Sequence, residues 1–447
     1  MKRFAINRLQ EWKEDPNRLP MIIRGARQVG KTWLMQEFGR TAFERCAYIN
    51  FDRNERMQNL FSGDFDVDRI LRGLAIESGM EIDPENTLII LDEIQEVPAA
   101  LQSLKYFCED NRHNYYILAA GSLLGIAMHE GTSFPVGKVD SMDLYPLSFT
   151  EFLSATGNDQ LLELLEQRDF GMVTAFRDKY IDLLRTYYYV GGMPAAVNAY
   201  LPKQNLAAVR RVQLRLISDY EQDFSKHAPT AVIPRIRMVW DGIPSQLAKE
   251  NKKFIYSVLR EGARAKDFEL AIQWLTDCGL CCKVGRVTKG AVPLKAYQDI
   301  PAFKLYLVDV GLLRLLAQLA PTVFGEGNQL FTEFKGALTE NFVLQTLITQ
   351  FEVTPRYWTQ TNPPYEVDFL IQRENDIFPV EVKSEANTTS RSLKKFKELF
   401  PDQVKLRVRL SLDNLKLDDD VLNIPLFMAD QTDRLIGLAL QQQNKNQ

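Results

Sequence analysis

The chain has 447 residues, 45% of them hydrophobic and 25% charged, which is ordinary globular material and enough for about three domains. Its 54 Lys and Arg stand against 58 Asp and Glu, and a net charge of -4 excludes binding to nucleic acid by bulk basicity while leaving room for a local basic surface. The 5 cysteines lack a paired framework and point to a reducing, cytoplasmic setting, no apolar run approaches the roughly 20 residues of a membrane span, and the N-terminal stretch lacks the apolar centre of a signal peptide.

Residues 2–14 read as a short amphipathic helix with Phe4, Leu9 and Trp12 as apolar contacts, ending before Asp15-Pro16-Asn17. The apolar run Met21-Ile22-Ile23 then leads into Gly25-Ala26-Arg27-Gln28-Val29-Gly30-Lys31-Thr32, and a helical pattern follows from Trp33 to Phe38. A G-x-x-x-x-G-K-T string between a strand and a helix is the context a phosphate-binding loop requires. The glycines let the backbone fold tightly and turn its N–H groups inward, and the helix presents its positive end. Lys31 adds a full charge beside the β- and γ-phosphates, and the Thr32 hydroxyl is placed to hold Mg²⁺. The expected nucleotide contacts run from Gly25 through Trp33.

A second strand is expected over Ala47-Tyr48-Ile49-Asn50-Phe51, and a polar helical stretch follows to about Glu81. Thr87-Leu88-Ile89-Ile90-Leu91-Asp92-Glu93 is an apolar strand ending in two acids. Asp92 at the strand's carboxyl edge is placed to hold the Mg²⁺ hydration shell, and Glu93 to polarise an attacking water. Tyr116 to Ala120 is another buried-type strand, closed by Gly121-Ser122, and Lys138 to Leu144 supplies a fifth, giving a parallel sheet covered by helices.

The stretches Leu144-Tyr145-Pro146-Leu147-Ser148-Phe149-Thr150-Glu151-Phe152 and Tyr189-Val190-Gly191-Gly192-Met193-Pro194, taken with Ile23 to Thr32, resemble a group of prokaryotic AAA-type ATPases of the AAA+ superfamily. Those proteins carry a C-terminal region of unknown function, and the resemblance covers essentially the whole chain. An intervening strand between the loop and Asp92, with Glu93 beside it, also resembles AAA+ enzymes and argues against a GTPase-type site. The resemblance implies ATP and Mg²⁺ as cofactors, a hydrolase, and Ser122 at the sensor-1 position that reads the γ-phosphate. Lys138 stands where relatives are expected to carry arginine, so an arginine finger is unassigned.

From Phe152 to Asp241 the pattern is helical. Arg210, Arg211, Arg215, Lys226, Arg235 and Arg237, interleaved with Asp219, Glu221 and Asp223, read as a solvated face. Residues 252–310 suggest a winged helix, with helices over Phe254 to Arg260 and Asp267 to Cys278 and wing strands Leu280 to Val284 and Leu294 to Tyr297 around Lys289-Gly290. Arg264, Lys266 and Lys289 are then the candidate phosphate contacts, although such modules also serve as plain packing units. Cys278, Cys281 and Cys282 read as buried thiols in a helix-to-strand turn in preference to a zinc site.

The last third holds a second chemical pattern: a helix over Thr332 to Ile348 containing Glu340, strands Arg356 to Thr359, Tyr365 to Ile371 and Phe378 to Lys383, a helix Ser392 to Phe400, and a strand Val404 to Leu410. That αβββαβ order resembles the core of the restriction-endonuclease-like, or PD-(D/E)XK, fold. Side chains alternate along a strand, so Asp368 points away from Val367 and Phe369, and Glu381 shares a face with Lys383. A hairpin turn near Glu374-Asn375 sets Asp368 across from Glu381. A divalent cation is the usual neutraliser of facing carboxylates, with Lys383 orienting water and Glu340 completing the set. A plain ion pair is the competing reading.

The expected architecture is therefore α/β: a P-loop ATPase domain over 1–150, a helical lid over 151–245, a winged helix over 246–325 and a nuclease-like domain over 326–447. The expected function is ATP hydrolysis controlling a metal-dependent domain that acts on DNA or RNA, with a second copy of the chain among the partners and no membrane. The alternative is a signalling or scaffold ATPase whose nuclease-like domain only binds.

Overall fold

A run of four to six apolar residues bounded by polar turns is long enough for a strand and too short for a helix, and when both faces are apolar it belongs inside a parallel sheet. The computed structural model, which describes residues 1–110, 112–121, 134–249, 252–319, 330–384 and 390–446, forms two units. The first comprises residues 2–146 and 274–280. Its strands are β1 (Met21–Arg24), β2 (Arg45–Asn50), β3 (Thr87–Asp92), β4 (Tyr116–Ala120) and β5 (Asp140–Asp143).

They pair in the order β2-β3-β4-β1-β5, every pair parallel. β4 thus separates the loop-bearing β1 from β3, the intervening strand that the AAA+ resemblance implies. Because all strands run one way, the loops after β1 and β3 open at one edge, where α/β sheets hold their ligands. Helix α1 (Ala5–Glu14) buries Leu9 and Trp12, and α2 (Lys31–Ala42) starts directly from the glycine loop. Helices α3 (Glu55–Phe61), α4 (Val67–Ser78) and α5 (Pro98–Glu109) begin on Asn54, Asp66 and a proline, three favoured N-terminal signals. They bury Phe61, Ile70, Leu74, Leu101 and Leu104 against Ile89, Leu91 and Ile117 of the sheet.

The second unit comprises residues 147–273 and 281–447. Its sheet is built from β6 (Cys281–Val287), β7 (Gln298–Leu307), β8 (Arg356–Gln360), β9 (Tyr365–Arg373), β10 (Asp376–Val382), β11 (Arg407–Ser411), β12 (Lys416–Asp418) and β13 (Val421–Pro425). The order is β12-β13-β11-β10-β9-β8-β6-β7. The helix Leu330–Leu347, then β8, β9, β10, the helix Arg391–Leu399 and β11 follow one another in the expected αβββαβ string. Arg373 pairs with Asp376, so the hairpin turns at Glu374 and Asn375, with Glu374 in the left-handed region at φ 52.

The middle of the chain differs from expectation. Leu294–Tyr297 is a 3-10 turn and the strand begins at Gln298, while the helix expected over Phe254 to Arg260 shrinks to Tyr256–Leu259. β6 and β7 are not a free wing: β6 pairs with β8 through Arg286↔Tyr357 and Val287↔Trp358. The reason is apolar burial, because Val287 and Leu294 share a core with Trp358, Val367, Leu393 and Phe396. Gly290, expected at the wing tip, lies so close to that core that a Cβ there would stand 2.5 Å from the Phe396 ring. A boundary at 325/326 therefore cuts one continuous sheet.

The glycine motif has a packing cause of its own. Gly192 N donates to Asp309 Oδ2 at 2.6 Å, and a Cβ on Gly191, whose φ is 72, would collide with that carboxylate at 2.2 Å. Pro194 opens a helix running to Tyr200. Thr150 donates its N–H and hydroxyl to Asp430 Oδ2 at 2.9 and 3.0 Å, and Gln345 Nε2 donates to the Tyr187 hydroxyl at 2.8 Å. The segment expected as a lid is thus hydrogen-bonded into the same unit as the C-terminal strands. No helix among the described residues is long and apolar enough to cross a membrane.

Candidate functional site

The loop after β1 needs its glycines. Gly25 has φ 138 and Gly30 has φ 98, conformations that side-chain-bearing residues rarely adopt, and a Cβ on Gly25 would stand 2.2 Å from the Leu144 carbonyl oxygen. Ala26 and Val29 point into the core while Arg27 and Gln28 are exposed, so the loop is pinned at alternate points. Arg3 fastens it from behind, donating from Nη1 to Val29 O at 3.0 Å and from Nη2 to Tyr145 O at 2.6 Å.

Lys31 starts α2, and its Nζ donates to the carbonyls of its own loop, Gly25 O at 2.9 Å and Ala26 O at 3.0 Å. Burial pushes this amine down to about 8, with Glu93 and then Asp92 opposing the shift. Thr32 Oγ1 donates to Asp92 Oδ2 at 2.7 Å, and the Tyr48 hydroxyl donates to the same oxygen at 3.0 Å. Burial first, then the Asp92 charge, pushes that phenol up to about 12, which keeps it a donor. Glu93 follows in the left-handed region at φ 52, and its Oε2 accepts from Gln95 Nε2 at 2.7 Å. Trp33 is 40% exposed beside the loop.

The structure places Gly25 through Trp33, Asp92 and Glu93 at one edge of the sheet. The hydroxyl of Thr32 and a carboxylate oxygen of Asp92, already in hydrogen-bond contact, are the donor set that suits Mg²⁺. Ser122 lies outside the described residues. Lys138, at the position expected for arginine in relatives, is paired with Glu109 at 3.1 Å. Arg3, Tyr48 and Gln95 carry no motif signal, since each reaches the site only through the fold.

The C-terminal residues meet differently. The β9–β10 register, in which Val380 faces Phe369, sets Glu381 opposite Asp368, and Val382 N donates to Asp368 Oδ2 at 2.8 Å. Glu381 Oε1 pairs with Lys383 at 2.6 Å, while its Oε2 is buried with no hydrogen-bond partner. Glu340 accepts from the Tyr306 hydroxyl at 3.1 Å, is ion-paired with Lys252, and lies 3.8 Å from Lys304. Lys304, from β7, is fully buried, ion-paired with Glu366, and sits over the Tyr357 ring at 4.9 Å. Burial raises the Asp368 carboxyl, the Glu340 charge adding to it. Burial also favours neutral Glu340, but Lys252 and Lys304 overcome it and hold Glu340 below the usual range.

The expected metal set of Glu340, Asp368 and Glu381 is not a chelating group. Among the described residues no three or more His, Cys, Asp or Glu side chains are placed to hold a metal ion. The physical reason is visible in the partners: Lys252 and Lys304 already supply the positive charge that Glu340 and Glu366 need. A divalent cation does not fit this donor set. Lys304 carries no motif signal, because its strand lies outside the αβββαβ string.

An AAA domain family matches residues 17–153, and two families described as domains of unknown function, DUF8612 and DUF4143, match residues 181–322 and 335–427. No curated protein matches the sequence. Among solved structures, a Walker-type ATPase of Pyrococcus abyssi is 16% identical, with 71% of this chain and 95% of that one covered at a TM-score of 0.43. The Orc1 protein of Aeropyrum pernix, solved in complex with DNA, is 12% identical, with 70% and 91% covered at a TM-score of 0.27. Scores this low carry no argument about function, so the assignment rests on the family match and the loop geometry. Residues 17–153 thus match an AAA domain family and carry the P-loop geometry described above.

Proposed function

We propose that the chain binds ATP with Mg²⁺ on the loop Gly25 to Thr32, hydrolyses it with Glu93 as general base, and uses nucleotide state to control a nuclease-like C-terminal domain that engages DNA or RNA. The observation that carries the ATPase part is the meeting of Lys31, Thr32, Asp92 and Glu93 at one sheet edge, with Thr32 hydrogen-bonded to Asp92 at 2.7 Å. Loop N–H groups and the Lys31 ammonium take the phosphates, for which Lys31 exchanges the Gly25 and Ala26 carbonyls for phosphate oxygens. Thr32 and Asp92 would hold Mg²⁺, which supplies positive charge against the phosphates. Glu93 then accepts the proton of the attacking water at a carboxylate oxygen, for which Gln95 has to release Oε2. Cys46, Cys108, Cys278, Cys281 and Cys282, none of them in a disulfide, suit a cytoplasmic setting, and assembly with further copies of the chain is part of the proposal.

Glu93→Gln is the test: kcat is expected to fall by about 10²–10⁴-fold with ATP binding retained. Turnover that survives the substitution would remove Glu93 from the mechanism. For the C-terminal domain a second reading, binding without cleavage, is favoured by the ion pairs that Lys252 and Lys304 make inside the acidic cluster. Cleavage of single- and double-stranded DNA and RNA, assayed with Mg²⁺ or Mn²⁺ in wild type and Asp368→Ala, separates the two.

A further inference from the structure

We infer that Lys304 is the resident cation of the C-terminal carboxylate cluster, so that this cluster takes no divalent metal and the domain performs no metal-dependent cleavage. The inference deepens the second reading above and rests on the same domain, but its argument is independent of the ATP site.

A hard divalent cation needs several oxygen ligands converging on one point at about 2.0–2.6 Å, with enough negative charge left unneutralised to hold it. Here each carboxylate already has at least one oxygen held by a protein group. Glu340 is shared between the Lys252 ammonium and the Tyr306 hydroxyl, Glu366 is held by Lys304, Asp368 Oδ2 takes the Val382 N–H, and Glu381 Oε1 takes Lys383. Glu381 Oε2 is buried with no hydrogen-bond partner among the described residues. Lys304 is the element that makes the arrangement self-contained, because it faces Glu366 and Glu340 together.

Nothing allows Lys304 to swing aside. Its side chain is entirely shielded from water, and its backbone is paired in the β6–β7 ladder opposite Val284. Its ammonium lies over the Tyr357 ring, a further favourable contact for a cation. A divalent ion entering between Glu340 and Asp368 would meet this fixed positive charge at short range. The lysine also comes from outside the αβββαβ core, on an edge strand that the core borrows from the preceding segment. A substituted cation of this kind keeps the carboxylate pattern while removing its metal chemistry.

The experiment counts Mn²⁺ bound to the full-length, nucleotide-free chain, reading free Mn²⁺ by electron paramagnetic resonance, in wild type, Asp368→Asn and Lys304→Met. Tb³⁺ emission sensitised by Tyr306 and Tyr357 serves as a local reporter. Wild type and Asp368→Asn are expected to bind the same amount of Mn²⁺. Lys304→Met is expected to gain about one Mn²⁺ per chain together with Tb³⁺ emission, and both gains should vanish in Lys304→Met/Asp368→Asn. Wild type that binds more Mn²⁺ than Asp368→Asn overturns the inference, as does a folded Lys304→Met that gains none. Should Lys304→Met lose its circular dichroism signal, the wild-type and Asp368→Asn comparison decides alone. ATP turnover measured on the same samples reports on the ATPase separately, so a failure there is not read as a failure here.

Discussion

Lys31 is the most informative residue to perturb, because the loop that serves ATP holds a lysine charge out of water when ATP is absent. Its amine titrates at about 8 instead of 10.5, chiefly through burial. At ~1.4 kcal/mol per pKa unit, that displacement costs the folded, nucleotide-free domain about 3 kcal/mol. Lys31→Met keeps the length of the stem and removes the charge. It also removes the hydrogen bonds to Gly25 O and Ala26 O, a loss of about 1–2 kcal/mol in all. The net expectation is a nucleotide-free variant more stable than wild type by about 1–2 kcal/mol, a rise in Tm of a few degrees. The sign with pH follows from the lowered pKa: the cost is fully present below about 8 and is relieved as pH rises from there toward 10.5. Urea melts at neutral pH and near the top of that window should therefore show the advantage of Lys31→Met shrinking. Saturating ATP with Mg²⁺ should reverse the order, since only wild type gains binding energy. A Lys31→Met variant less stable than wild type at neutral pH, or a gap that does not change with pH, would refute the reasoning.

Three further outcomes follow from single contacts. Tyr48→Phe removes one of the donors on Asp92 Oδ2 and is expected to cost about 1 kcal/mol in a urea melt, with a higher Mg²⁺ concentration needed for half-maximal ATP turnover. Gln95→Ala removes one donor from the Glu93 carboxylate and should raise kcat by about fivefold, the worth of one hydrogen bond of ~1 kcal/mol, at unchanged KM; a fall in kcat would show that Gln95 orients the base instead. Gly290→Ala drives a methyl against the Phe396 and Phe400 rings and should destabilise the second unit by about 1–3 kcal/mol, whereas at the tip of a solvent-exposed wing it would be neutral.

The ATP site was legible because its chemistry is written in contiguous residues. A loop that cradles phosphate needs its glycines, its lysine and its hydroxyl within a few positions, and an apolar strand ending in acids announces itself the same way. The αβββαβ string and the Glu374-Asn375 turn were legible for a similar reason, alternation and turn chemistry being local. The surroundings of the β6–β7 hairpin are not legible in the sequence, because short strands look alike whether they form a free hairpin or the margin of a larger sheet. What decided it was where Val287 and Leu294 find apolar cover, and that cover comes from Trp358, Leu393 and Phe396 far along the chain.

By itself, the sequence determined the nucleotide-binding loop, the pair Asp92 and Glu93, the sheet class and the facing of Asp368 toward Glu381, since each depends on spacing along one or two neighbouring elements. The tertiary structure alone decided which charges those groups meet. Arg3 on the back of the loop, Tyr48 on Asp92 and Lys304 among the C-terminal carboxylates are all brought in by strand order and sheet register. A carboxylate's chemistry depends on the nearest opposite charge in space, and a buried lysine from an edge strand changes a metal site into an ion-paired core without altering a single residue of the motif.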